Sequence, residues 1–213
     1  MRSSRSPGLL RHDEAGYTLV ALLALMTILA LFAVAAAPSL QQQARREKEK
    51  EAIFRGEEVA EAIRLFYSYQ GTRSITGEPA LPASIDQLLE GVSVGTRKVQ
   101  ILRGSAARDP LSDSDWHLVR PHSSELADFQ RCVMLFAANV RPPTRDPQLK
   151  LVELLMAPAV LPSADTDCSA STGSGDVFQG PFIGVTSQNS TSSVIHYYGI
   201  GHHDGWIFTP LFR

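Results

Sequence analysis

From Tyr17 to Leu40 the chain carries no charged residue (YTLVALLALMTILALFAVAAAPSL). At a rise of 1.5 Å per residue, twenty such residues in a helix span about 30 Å, the thickness of a bilayer's hydrocarbon core. Ala, Leu, Met and Ile dominate, and neither Gly nor Pro intervenes before Pro38, so a continuous helix is the expected form. The run is expected to enter a membrane.

Three uses of such a segment are open. A cleaved signal peptide normally has an apolar stretch of about 7–15 residues ahead of a small-x-small cleavage site. Ala35, Ala36 and Ala37 supply the small residues, but the run is too long and Pro38 would follow the cut. A plain signal anchor is the second use. Arg2, Arg5 and Arg11 precede the span, and the positive-inside rule then keeps the N-terminus cytoplasmic and exports the remainder.

The third use comes from Gly16-Tyr17-Thr18-Leu19-Val20 followed by unbroken apolar sequence. This stretch resembles the class III signal of type IV pilins and type II secretion pseudopilins, matching the first five places of Gly, aromatic, Thr, Leu, aliphatic, Glu. The resemblance implies cleavage between Gly16 and Tyr17 by a prepilin peptidase and N-methylation of Tyr17. Pro38 falls at the twenty-second residue counted from Tyr17, where pilin stems commonly carry a proline. The filament-core residues would be Tyr17, Thr18, Leu19, Val20, Ala21 and Pro38. Ala21 departs from the pattern, because the family has a glutamate there, thought to neutralise a neighbour's N-terminal amine. An unpaired buried charge is costly, and alanine offers no partner. Two readings follow: a minor or tip subunit, or a system that tolerates the loss.

Beyond the span, Gln41 to Glu51 is strongly polar, after which apolar residues return at helical spacing. Ala52, Val59, Ile63 and Phe66 form one stripe, with Ile53, Ala60 and Tyr67 beside it. Glu58 with Arg55 and Glu61 with Arg64 are expected to pair at i,i+3, offsetting like-charge neighbours such as Glu47 and Glu51. Gly71 marks the expected helix stop. A helix from Tyr17 to Gln70 would run roughly 80 Å, with kinking or partial melting at Pro38. Ser84 is placed as an N-cap with Gln87 at the capping-box position, and Ile85, Leu88 and Leu89 facing inward. Trp116–Val119, Pro181–Ser187, Val194–Tyr198 and Gly205–Phe208 read as strands. Lys150–Met156 reads as a short helix. Phe129–Val140 is apolar but too short to span a bilayer as a helix.

The stem, the Pro-led Ser84 helix, the Arg108-Asp109-Pro110 turn and the Gly180-onward ending also resemble the pseudopilin group, over about two-thirds of the chain. The expected fold is α+β and type IV pilin-like, a long N-terminal helix packed by its outer half on a small C-terminal antiparallel β-sheet. The expected divisions are a leader (1–16), a transmembrane and filament-core helix (17–40), an amphipathic stem (41–70) and a periplasmic globular domain (71–213) with an insertion at 120–176. Expected partners are other pilin or pseudopilin subunits, prepilin peptidase, an inner-membrane assembly platform and membrane lipid. The expected place is the bacterial inner membrane, with the C-terminal domain periplasmic. A single-span, membrane-anchored periplasmic binding module that does not polymerise is the alternative.

Chemistry has few candidates. Cys132 and Cys168 are the only cysteines, and in an oxidising compartment their pairing would be worth about 4 kcal/mol on the chain-entropy model. The alternative is one buried thiol beside Met134 and one free loop thiol. His202-His203-Asp204 is the most metal-like cluster, yet adjacent strand residues point to opposite faces, so a polar turn is the expected reading and no metal is assigned. Asp109, Asp113 and Asp115 alternate as in some calcium loops, and major pseudopilins carry a structural calcium, but the EF-hand spacing and glycine are missing. No nucleophile elbow, Walker or Rossmann fingerprint occurs, so no catalysis and no cofactor are expected. A formal charge of −2 gives no footprint for nucleic acid.

Overall fold

The computed structural model of the chain describes residues 14–72, 75–140, 142, 146–156, 168 and 180–212. The expected leader falls outside them up to residue 13, as do most of the Ser/Thr/Asp/Gly-rich loop after Pro162 and its Gly173-Ser174-Gly175. The chain divides into two compact units, Met1–Ala44 and Arg45–Arg213. The division falls inside the first helix, α1 (Glu14–Thr72), which is assigned without interruption. Pro38 lies within the residues assigned to that helix.

The second unit is mixed helix and small antiparallel sheets, an α+β arrangement. Among the described residues three further helices are α2 (Ile85–Glu90), α3 (Ser124–Phe136) and α4 (Pro147–Met156). Among the described residues six strands follow the order β1 (Val92–Val94), β2 (Arg97–Val99), β3 (His117–Val119), β4 (Gly184–Thr186), β5 (Ser192–Tyr197) and β6 (Ile200–His202). They pair as three two-stranded antiparallel ladders, β1–β2, β3–β4 and β5–β6, where one sheet was expected. The last expected strand is also revised. Residues His203–Gly205 form a 3-10 turn, and beyond them Phe208 makes only an isolated bridge to Val185. The indole of Trp206 explains the interruption: it is fully buried and donates to the Ile200 carbonyl at 3.1 Å, which turns the chain inward.

Local sequence accounts for most boundaries. Ser84 caps α2 by accepting from the Gln87 amide, while Gln87 Oε1 accepts from the Ala83 amide at 2.9 Å, one residue earlier than a standard capping box. Ser123 caps α3 in the same way, accepting from the Leu126 amide at 3.2 Å. That cap is why the apolar run after Phe129 is the end of a helix. The β5–β6 hairpin turns through Tyr198 (φ 50°) and Gly199 (φ 80°), both left-handed, as a two-residue turn matched to strand twist requires.

One apolar core gathers these pieces. The stripe of α1 contributes Val59, Ala60, Ile63 and Tyr67, and Ala52 is buried on the same face. α3 contributes Leu126, Phe129 and Val133, and α4 contributes Leu149 and Val152. The region expected as an insertion therefore supplies part of the common core. Phe182, Ile183, Trp206, Phe208 and Leu211 fill the centre. Gly56 permits the closest approach, since a Cβ there would sit 2.2 Å from Cδ2 of Phe208. The disulfide Cys132–Cys168 fixes residue 168 to α3, with Cα atoms 5.6 Å apart.

Surface pairing differs from expectation in one place. Glu61 and Arg64 do pair, and Asp146 joins them at 3.1 Å. Arg55 instead bonds Glu51 at 2.8 Å. Glu58 accepts from Arg103, whose guanidinium also lies 5.4 Å over the Phe54 ring. The hydrogen bond from Arg103 holds the Glu58 carboxyl below its ordinary range. A planar guanidinium that stacks while forking a carboxylate outcompetes a neighbour on the same helix.

Candidate functional site

The first unit offers one feature. Tyr17–Val34 is an uncharged helical window long and apolar enough to cross a membrane, and none of it is buried. Tyr17, Leu19, Val20, Leu22, Leu23, Leu25, Met26 and Phe32 all stand exposed to half or more of their surface. Thr27 satisfies its hydroxyl on the Ala24 carbonyl at 2.8 Å, within its own helix. In a membrane this is what a polar atom needs, because no water is available to it. Gly16 and Tyr17 sit in helical backbone, two and three residues after α1 begins at Glu14. Ala21 is exposed and apolar, so no carboxylate stands at that position.

The second unit holds a feature that the sequence reading missed. Glu49 lies in the charge-rich run RREKEK, yet it is 1% exposed. Its Oε1 accepts from the Val194 amide at 2.8 Å and its Oε2 from the Ile195 amide at 2.8 Å, both in β5. His203 Nε2 stands 3.1 Å from the same Oε1. Since a carboxylate only accepts, Nε2 carries the proton, and Nδ1 faces the Thr191 hydroxyl at 3.0 Å. Trp206 packs edge-on against the imidazole, centroids 4.9 Å apart. Four residues earlier, Arg45 donates to the Ser192 carbonyl at 3.2 Å. A single buried carboxylate thus clasps α1 to β5 and to the 3-10 turn. The signal was available: Glu49 occupies the same helical stripe as Ala52, Gly56, Val59 and Ile63.

The other candidates resolve into structure. Of the cluster His202-His203-Asp204, His203 faces inward to Glu49, while His202 Nδ1 lies 3.5 Å from the Ser190 carbonyl. Burial raises the Asp204 carboxyl above its ordinary range, partly opposed by the nearby His202. Asp109 is fully buried; Ser112 and Ser187 hydroxyls each donate to it at 2.6 Å and the Leu111 amide at 2.9 Å. Asp113 and Asp115 are exposed and do not join it. Asp109 therefore pins the 108–115 loop to the end of β4. His117 and Glu125 meet at 3.4 Å beside a pocket of about 440 Å³ that His122 and Glu78 also line. Among the described residues, no three His, Cys, Asp or Glu side chains are grouped to hold a metal.

Set against protein-family models, characterised proteins and solved structures, the chain finds no match.

Proposed function

We propose that this chain is a structural, pilin-like subunit, anchored by Tyr17–Leu40 in a bacterial inner membrane and released for assembly by cleavage between Gly16 and Tyr17. The observation that carries the reading is the wholly uncovered apolar window at Tyr17–Val34 in a helix that continues as a packed stem. An apolar helix that its own chain leaves bare must be covered by lipid, by other helices, or by each in turn. Close helix packing in lipid relies on small residues, and Ala21, Ala24, Ala30, Ala33 and the run Ala35–Ala37 provide them. The prepilin-like junction at Gly16 and the register of Pro38 support assembly over simple anchoring. Ala21 favours a minor or tip position, since a subunit without the carboxylate cannot neutralise a neighbour's amine.

The fold supports this role mechanically. A subunit pulled through its stem needs that stem held fast to the globular part, and Glu49, Gly56 and the Ala52–Tyr67 stripe do this. The test is a count of subunits and a crosslink map: cysteines at Leu23 and Ala30 should crosslink to other subunits only when prepilin peptidase and the assembly machinery are present. Crosslinking that ignores both would instead leave an anchored, non-polymerising protein.

A further inference from the structure

Two strand edges of the second unit lie open, and they carry opposite charge. Among the described residues β3 has β4 as its only neighbour. Val185 of β4 donates its amide to the Phe208 carbonyl at 3.0 Å and accepts from the Phe208 amide at 2.8 Å. Leu118, opposite Val185 in the ladder, therefore belongs to a non-hydrogen-bonded pair and turns its own amide and carbonyl away from β4. Leu118 also lines a groove of about 990 Å³. Ile85 and Leu89 of α2 give that groove an apolar wall. The exposed Asp86 and Asp115 set two carboxylates along it against the single guanidinium of Arg108.

The second open edge belongs to the β1–β2 hairpin, whose strands pair only with each other among the described residues. Val92 is buried, and every residue from 93 to 100 is exposed. Val94 and Val99 are 44% and 41% exposed on one face of the hairpin, which Arg97 shares. Lys98 reaches only its own Glu90, at 3.7 Å and in full solvent, and Arg97 makes no ion pair among the described residues. A two-residue turn closes on a hydrogen-bonded pair, here Val94 with Arg97, so Lys98 is the residue whose amide and carbonyl point outward from β2. Two strands by themselves are marginal in water and gain from a third. Basic side chains deter pairing with a like edge, but they suit an edge flanked by carboxylates. We propose that the outer edge of β2 in one copy of the chain adds to the outer edge of β3 in the next, seating the hairpin in the groove. The two surfaces differ, so the contact is head-to-tail and extends into an open array. This rests on the reading of the chain as an assembling subunit and needs only two copies side by side.

The experiment follows the full chain in detergent by sedimentation, with amide hydrogen exchange measured across a range of protein concentrations. Exchange should slow together in residues 92–99 and 116–119 as association sets in. Arg97→Glu and Asp115→Arg, both at exposed side chains, should each weaken association about tenfold, and the double variant should restore it. Association that leaves both segments unprotected and ignores both charges would overturn the contact while leaving an assembling subunit in place. Protection of 92–99 alone would overturn it too, pairing hairpin with hairpin. So would protection of 116–119 that is the same at every concentration, which would give the groove to a segment of the same chain. A chain that stays monomeric in detergent and forms no crosslinks between subunits in cells would sink both this contact and the assembling reading.

Discussion

Replacing Glu49 by alanine removes the acceptor that two strand amides and a buried imidazole share. The Val194 and Ile195 amides and His203 Nε2 all point at it within 3.1 Å. Hydrogen bonds to a charged acceptor are worth about 1.5–3 kcal/mol each, but they are not additive within one network. Removing one member of a buried charged cluster costs about 3–5 kcal/mol. We therefore expect Glu49→Ala to lose about 4 kcal/mol, a large part of a stability of about 5–15 kcal/mol. For a unit of this size, that is a fall in melting temperature of on the order of 10 °C. Glu49→Gln keeps one acceptor oxygen and should lose about half as much. Thermal unfolding of the full chain in detergent, followed by circular dichroism, measures both. The control is Glu47→Ala two residues earlier, whose side chain is 73% exposed in a surface pair with Lys50; it should change stability by less than about 0.5 kcal/mol. Equal effects at positions 47 and 49 would refute the clasp.

Further outcomes follow from the same structure. Gly56→Ala drives a methyl into Phe208 and should cost about 1–3 kcal/mol in a denaturant titration, more than any helix-propensity gain from alanine. Asp204→Asn should stabilise the protein at neutral pH, since burial raises that carboxyl in the fold. The advantage should shrink as pH falls through the folded value and vanish below the unfolded one, where aspartic acid is neutral in both states. Reducing Cys132–Cys168, which closes a sequence separation of 36 residues, should cost up to about 4 kcal/mol, seen as a lower unfolding midpoint with reductant. Protease added outside spheroplasts should degrade residues 45–213. Arg45, Arg46, Lys48 and Lys50 on the far flank oppose Arg2, Arg5 and Arg11 in the positive-inside count. Protection of that unit would therefore show that these four basic residues, not the leader, set the orientation.

Features governed by a short window were legible in the sequence. The uncharged run, the stem stripe, the Ser84 cap and the strand cores at Trp116–Val119 and Val194–Tyr198 each depend on residues a few places apart. What escaped depends on distant partners. Glu49 looks like one more surface charge until β5, some 145 residues away, presents two amides to it. Glu58 has a suitable neighbour in Arg55, but Arg103 arrives from a loop with a fork and a stacking surface. Gly205–Phe208 has strand composition, yet buried Trp206 and the bridge of Phe208 to Val185 break it into a turn and a single pairing. The β1–β2 hairpin and β6 are three-residue strands, too short for an alternating pattern to stand out. The clasp was half visible, because a carboxylate in register with an apolar stripe must be either an error in the helix phase or a buried partner.

The most direct measurement is the N-terminus of the mature protein in its native host, by intact mass and terminal peptide analysis. The account requires a chain that begins at N-methylated Tyr17. A leader still attached to Gly16, or a chain starting near Pro38, would contradict it and leave an anchored or secreted domain in place of an assembling subunit.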